Sequence, residues 1–379
     1  MSYKRLGDYI IEKVEFNEGN KYDLLQGVSN NKYFQKAKTN TIGVDLSKYR
    51  VAHYNQFVFN RATTRNGDKI SIALRKGESC IVSPSYRIFE VKDENVLNPD
   101  YLLMWFKRPE FDRYARFKSH GSAHEFFDME EMCDVELPVP TLEKQKEIVT
   151  QYQAVSNKIK INEQICEKLE ATAQALYKHW FVDFEFPNEN GQAYKSSGGK
   201  MVYNQELEKE IPEGWEVGLL SDLITVKYGK DYKHLSKGDI PLYGSGGIMG
   251  YVNEVLYNKP SVLIPRKGSL NNILYVKTPF WSVDTMFYTI PKIDNTLIYV
   301  FNVLSKMDFN SLNVGSAVPS MTTEYLNSMQ ILIPENNVLE AFDFELNQLE
   351  DYKITINNQN QKLTQLQSLL LSRLARLEG

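Results

Sequence analysis

The sequence repeats itself. "HGSA" occupies residues 120–123 and "VGSA" residues 314–317. Nineteen residues separate Gly121 from Pro140, the end of "ELPVP", and nineteen separate Gly315 from Pro334, the end of "QILIP". The copies lie 194 residues apart without a gap. A repeat at fixed offset constrains the fold strongly, because each copy must build the same supersecondary unit. The likeness extends upstream. "NQFVFNR" (55–61) is an apolar run ending in Arg61, and "PSVLIPR" (260–266) one ending in Arg266. A polar turn follows each, "ATTRNGDK" or "KGSLNN", and then another apolar run. Short β-branched and aromatic runs bounded by Gly, Asn and Pro predict strands. "PDYLLMWFKRPEFDRYARF" (99–117) and "NTLIYVFNVLSKM" (295–307) predict helix. Residues 1–140 and 212–334 are expected to form two mixed α/β domains of related design.

After each closing proline comes a heptad pattern. In the first copy Ile148, Tyr152, Val155, Ile159, Asn162, Cys166, Leu169, Ala173, Leu176 and Trp180 alternate by four and three. In the second, Phe342, Leu346, Leu349, Lys353, Ile356, Asn360, Leu363, Gln367, Leu370, Leu374 and Leu377 do the same. A seam held this long indicates a coiled coil. Lys353, Asn360 and Gln367 put polar groups on it every seventh residue, which fixes register at some cost in stability. Long helices are therefore expected over 141–186 and 335–379. Between the copies, 187–211 contains "NENGQAYKSSGGK" (188–200), a linker or exposed loop by composition. The fold class is α+β: two related mixed α/β domains separated by two long antiparallel coiled-coil helices, with a pseudo-twofold as the simplest closed arrangement. Some 35–40 helical residues make a spacer of roughly 50–60 Å.

The 379 residues exceed what one ordinary core organises. Cys80, Cys133 and Cys166 stand far apart, which fits a reducing cytoplasm rather than a disulfide framework. The start "MSYKRLGDYI" has no apolar signal region and no run approaches 18 apolar residues, so neither secretion nor a membrane span is expected. The net charge of −4 conceals a segregation. Residues 31–87 hold 11 Lys and Arg against 3 Asp and Glu, and 225–280 hold 8 against 3. Residues 141–211, with 9 against 11, and 335–379, with 4 against 7, lean acidic. Two basic regions divided by acidic ones suit a polyanionic partner.

Catalytic patterns are missing. There is no G-x-x-x-x-G-K-S/T phosphate loop, and the glycines of "YGSGGIMGY" (243–251) miss the G-x-G-x-x-G spacing, which leaves a turn between strands. His120 and His124 are four apart, but Gly121 and Ser122 break any helix there and the second copy has Val314 and Val318, so no metal site is expected. The N-P-P-Y/F tetrapeptide of amino-methyltransferases does not occur. A reader or scaffold fits better than an enzyme.

"ALYKHWFVDFEFP" closing the first heptad helix, "SSGGK", "IPEGWE" (211–216), "IPLYGSGGIMGYV" (240–252) and "VLIPRKGS" (262–269) follow one another in an order that resembles the specificity subunit (S, HsdS) of type I restriction–modification systems. The resemblance covers essentially the whole chain. It implies a non-catalytic subunit that reads a bipartite double-stranded DNA target. It also implies two modification subunits that dock on the helices and bring S-adenosylmethionine for adenine methylation, and restriction subunits that use ATP and Mg2+. No cofactor is implied in this chain, and its location would be the cytoplasm. Direct readout needs donors at base edges, typically Arg to guanine and Asn or Gln to adenine. The candidates are Arg61, Arg65, Asn66 and Lys69 in the first copy and Arg266, Lys267, Asn271 and Asn272 in the second. "YGKDYKH" adds Tyr228, Lys230, Tyr232, Lys233 and His234, cations interleaved with aromatics. The competing reading is a coiled-coil scaffold that bridges proteins without touching DNA; a salt-dependent gel shift separates the two.

Overall fold

A computed structural model describes residues 3–37, 43–63, 69–119, 125–309, 311 and 320–376. The GSA tetrapeptides, His120 and His124, and Arg65 and Asn66 lie outside the described residues. By its contacts the chain divides into two units: residues 1–162 with 358–379, and residues 163–357.

Unit 1 is built on a four-stranded antiparallel sheet, in the order Ile10–Lys13, Tyr86–Val91, Phe57–Asn60, Ile72–Leu74. "FVF" at 57–59 is apolar throughout because both sheet faces are covered. Phe57, Phe59 and Phe89 pack toward the helix that carries Leu102 and Phe106, while Val58, Ala73 and Ile88 pack beneath Cys80 and Val82. The helix expected over 99–117 is two helices, Pro99–Phe106 and Pro109–Lys118. Pro109 has no N–H to donate and pushes the residue before it out of helical geometry. Arg108 is accordingly extended, at φ −72° and ψ 137°.

Unit 2 repeats the plan. Its sheet runs Ile224–Tyr228, Met286–Pro291, Ser261–Pro265, Leu274–Val276, the same order and again antiparallel. Val262, Ile264 and Phe287 share a core with the helix Leu297–Ser305. Leu263 and Met286 turn the other way, toward Trp281 and the hairpin Lys237–Gly244/Gly247–Val252. "YGSGGIMGY" therefore is the turn and second strand of a hairpin.

The repeat recurs in the hydrogen bonds, with the C-terminal partner of each pair offset by 194 residues and the N-terminal partner by more. The Phe127 amide donates to the Arg61 carbonyl and the Met321 amide to the Arg266 carbonyl, each at 2.8 Å. Leu6 donates to Val135 and Leu220 to Met329, at 2.7 and 2.8 Å. The helices Met129–Cys133 and Thr323–Asn327 carry their N-caps on Asp128 and Thr322.

The heptads form single helices, Leu142–Phe181 and Asn336–Arg373. Among the described residues, every seam position named above is buried or half-buried. Within unit 1, Asn162 (1% exposed) donates to Gln359 Oε1 at 2.9 Å and Asn360 Oδ1 at 2.7 Å, and Gln367 donates to Ser156 Oγ at 2.7 Å. Within unit 2, Cys166 lies 3.7 Å from Asn357, Lys353 3.9 Å from Glu170, and the rings of Trp180 and Phe342 are 5.5 Å apart. In both units a step forward on one helix matches a step back on the other, so the pairing is antiparallel.

The 187–211 stretch is more ordered than its composition suggests. Phe186 stacks on Trp215 (5.0 Å) and Tyr194 (4.5 Å), and Met201–Asn204 pairs with Lys209–Pro212 as a hairpin. Aromatic residues placed among the Gly, Ser and Asn residues anchor the segment in the core of unit 2. Among the described residues no helix is long and apolar enough to cross a membrane, and no three His, Cys, Asp or Glu side chains group as metal ligands.

Candidate nucleic-acid interface

In unit 2 the segment Trp281–Met286 gathers the site. The Lys230 amide donates to Ser282 O at 2.9 Å, and Trp281 Nε1 donates to Lys230 O at 3.2 Å. A Cβ on Gly229 would lie 2.0 Å from Val283 O, so the chain passes here only as glycine. The Arg266 amide donates to Thr285 O at 2.8 Å and its guanidinium to Asp284 O at 3.4 Å. The same guanidinium lies 5.4 Å from the centre of the Tyr228 ring, a cation–π contact. Tyr228, Lys230, Arg266 and Lys267 thus surround one loop.

The turn after Arg266 is held from inside. Gly268, at φ +85°, makes the reversal. Asn271 donates to Asp308 Oδ1 and accepts from the Phe309 amide, both at 2.9 Å, and Asn272 donates to Ser245 O at 2.8 Å. Both amides serve to fix the turn that presents Arg266 and Lys267. Lys230, Lys233 and Lys267 are exposed and have no ion-pair partner among the described residues. His234 sits against Trp281, ring centres 5.8 Å apart, and Tyr232 packs on the core beneath the hairpin.

Unit 1 treats the equivalent arginine differently. Arg61 donates to Asp128 Oδ2 at 3.0 Å and lies 4.7 Å from the Phe126 ring centre. Arg87 grips the same carboxylate at 2.6 and 3.1 Å. Burial alone would raise the Asp128 carboxyl. Hydrogen bonds from Arg87, the Met129 amide and Arg61 outweigh it and hold the group far below the usual carboxylate range. Arg50 is buried nearby, 3.7 Å from Glu12, and its Nε and Nη1 have no hydrogen-bond partner among the described residues. Lys69 is exposed and lines a shallow cavity with Arg113, Arg116 and Phe117, the last 82% exposed. Beside it Lys32 is buried against Asp112 and donates to Ile70 O at 2.6 Å; burial lowers its pKa against the pull of that carboxylate.

Asp128, Phe126 and Phe117 were not among the residues singled out from sequence. For Asp128 a signal existed: "DMEE" (128–131) is a capping box, in which the Asp128 side chain and Glu131 each bond the other's backbone.

Residues 4–171 and 212–368 match the family model described as type I restriction modification DNA specificity domain. The chain is 28% identical to the type I restriction enzyme MjaIX specificity subunit of Methanocaldococcus jannaschii, over 69% of this chain and 64% of that protein. It therefore spans less than two thirds of that relative's length. It is 19% identical to the HindI specificity subunit of Haemophilus influenzae, over 78% of this chain and 81% of that one. Among solved structures, the S subunit of a type I restriction–modification system from M. genitalium superposes with a TM-score of 0.63 at 16% identity, over 99% of this chain and 96% of that one. That likeness is one of fold.

Proposed function

We propose, from the premise that this chain belongs to the type I restriction modification DNA specificity family, that it reads a two-part DNA target and catalyses nothing itself. Each unit reads one half-site. Partner subunits carry out the chemistry: two modification subunits methylate adenine with S-adenosylmethionine, and restriction subunits cleave using ATP and Mg2+. The setting is the cytoplasm. The observation that carries this reading is the doubled strand end. Arg61 and Arg266 close equivalent strands, their carbonyls take equivalent amide bonds, and a basic segment follows each. One such surface spans only a few base pairs, so two of them suit a split target.

In unit 2 the contacts are Tyr228, Lys230, Lys233, Arg266 and Lys267, with Asn271 and Asn272 holding the turn. In unit 1 they are Arg61 and Lys69, with Arg65 and Asn66, between them in the sequence, as further candidates. The cations supply the phosphate attraction, and a braced guanidinium suits guanine. Exchanging residues 212–334 for the same region of a relative tests the modular reading. Mapping of methylated adenines, with the partner subunits present, should show one half of the target changed and the other intact. If both halves change together, the units do not read separately.

A further inference from the structure

The hairpin Lys237–Gly244/Gly247–Val252 of unit 2 ends in apolar side chains that its own fold does not bury. Ile248 is 53% exposed and Met249 56% exposed. The pairing passes from Tyr243–Ile248 to Leu242–Gly250, which leaves Met249 as an extra residue on its strand. Such a bulge re-aims side chains and is found beside binding sites. The tip is fastened to the cationic surface described above. The Val283 amide donates to Tyr243 O at 3.0 Å, within the loop that braces Lys230 and Arg266. Asn272 ties Ser245 to the turn that carries Lys267. The matching hairpin of unit 1, Gln26–Val28 with Phe34–Lys36, carries Tyr33, 52% exposed, at its end and exposed Gln35 and Lys36 on its second strand, with no exposed aliphatic pair. The exposed aliphatic pair is a property of unit 2.

We propose that Ile248 and Met249 read thymine, packing against its C5-methyl group in the major groove of the half-site bound by unit 2. This rests on the DNA-reading function proposed above. Lys230, Arg266 and Lys267 select a polyanion. The apolar group that duplex DNA offers at its major-groove edge is the thymine methyl, which distinguishes an A·T pair in either orientation from G·C. Exposed Ile and Met on an element locked to the guanidinium-bearing turn match that group in chemistry.

The test uses the full chain. A random-sequence duplex pool is selected for binding, and the enriched duplex is resynthesised with deoxyuridine in place of one thymine at a time. Removing one buried methyl should weaken binding about fourfold at one or more thymines. The double variant Ile248→Thr, Met249→Gln should lose that discrimination while its salt dependence stays as in the native chain. Both positions are exposed, so the variant keeps its core. Specific binding that no deoxyuridine weakens overturns the inference and leaves the reader function standing. So does a variant that still discriminates, which would leave these side chains to a protein partner, or an enriched site without A·T pairs. If the full chain binds no DNA in a salt-dependent manner, the reader function fails first and this inference with it.

Discussion

Asp128 does three things at once: it caps the helix Met129–Cys133, holds Arg61, and holds Arg87. Hydrogen bonds to charged groups contribute about 1.5–3 kcal/mol each, and partial exposure reduces that. Asp128→Asn keeps a cap but loses the charge. It should destabilise unit 1 by about 2 kcal/mol at pH 7, read as faster hydrogen exchange at the amides around Arg61 and Asp128. The sign of the pH dependence follows from the depressed pKa. A carboxyl whose folded pKa lies below its unfolded value stabilises fully above about pH 4 and loses that contribution as the pH falls toward the folded value. The difference between the native chain and the variant should therefore shrink steadily as the pH falls from about 5 toward 2; a difference that stays constant over that range would assign the effect to packing. At this scale the sequence was partly legible. Arg61 and Arg266 were visible as strand ends. That one guanidinium lies against a carboxylate and the other over Tyr228 was not, because those partners are 67 and 38 residues away along the chain. Long-range pairing is set by strand order, which alternation of side chains does not encode. Lys32 makes the same point: a surface residue by type, it is buried because Asp112 lies across from it.

The long helices were legible because the 3.5-residue period of a seam persists far beyond any single contact. The break at Arg108 was equally written in the sequence, in Pro109, yet the apolar run on either side of it outweighed that signal. Asn162 illustrates what a seam asparagine does. Its amide is buried and its two bonds reach Gln359 and Asn360 on the facing helix. Replacing Asn162 and Asn360 together by Leu should raise the thermal stability of the pair, since two polar side chains give way to apolar ones. It should also loosen register. Cysteines at Ser156 and Gln367, whose side chains bond at 2.7 Å, report on this. Their crosslink should form efficiently with the asparagines present and less so with leucines. An unchanged yield would remove the asparagines from register control.

For the whole molecule, net charge misleads, because the basic segments 31–87 and 225–280 are offset by acidic residues elsewhere in their own domains and in the long helices. If the helices set the unread gap of the target, inserting one matched heptad in both adds roughly 10 Å of helix while every seam residue keeps its partner. That corresponds to up to roughly three base pairs at 3.4 Å each. The recognised gap should lengthen, or activity should vanish where the added rotation of the second half-site is not absorbed. Full activity at the unchanged gap, seen by mapping methylated bases, would deny the helices that role. The division of contacts also has a consequence for synthesis. Unit 1 is not one stretch of chain: Leu374, 1% exposed, belongs to its core, with Leu370 and Leu371 packed against it. A ribosome must make all of unit 2, about 200 residues, before it reaches these leucines. At roughly 5–20 residues per second that is a wait of about 10–40 s. The first unit to emerge is thus the last to be completed, and a nascent chain interrupted in the last turns of its final helix, beyond residue 357, carries a finished second unit beside a first one whose core is still open.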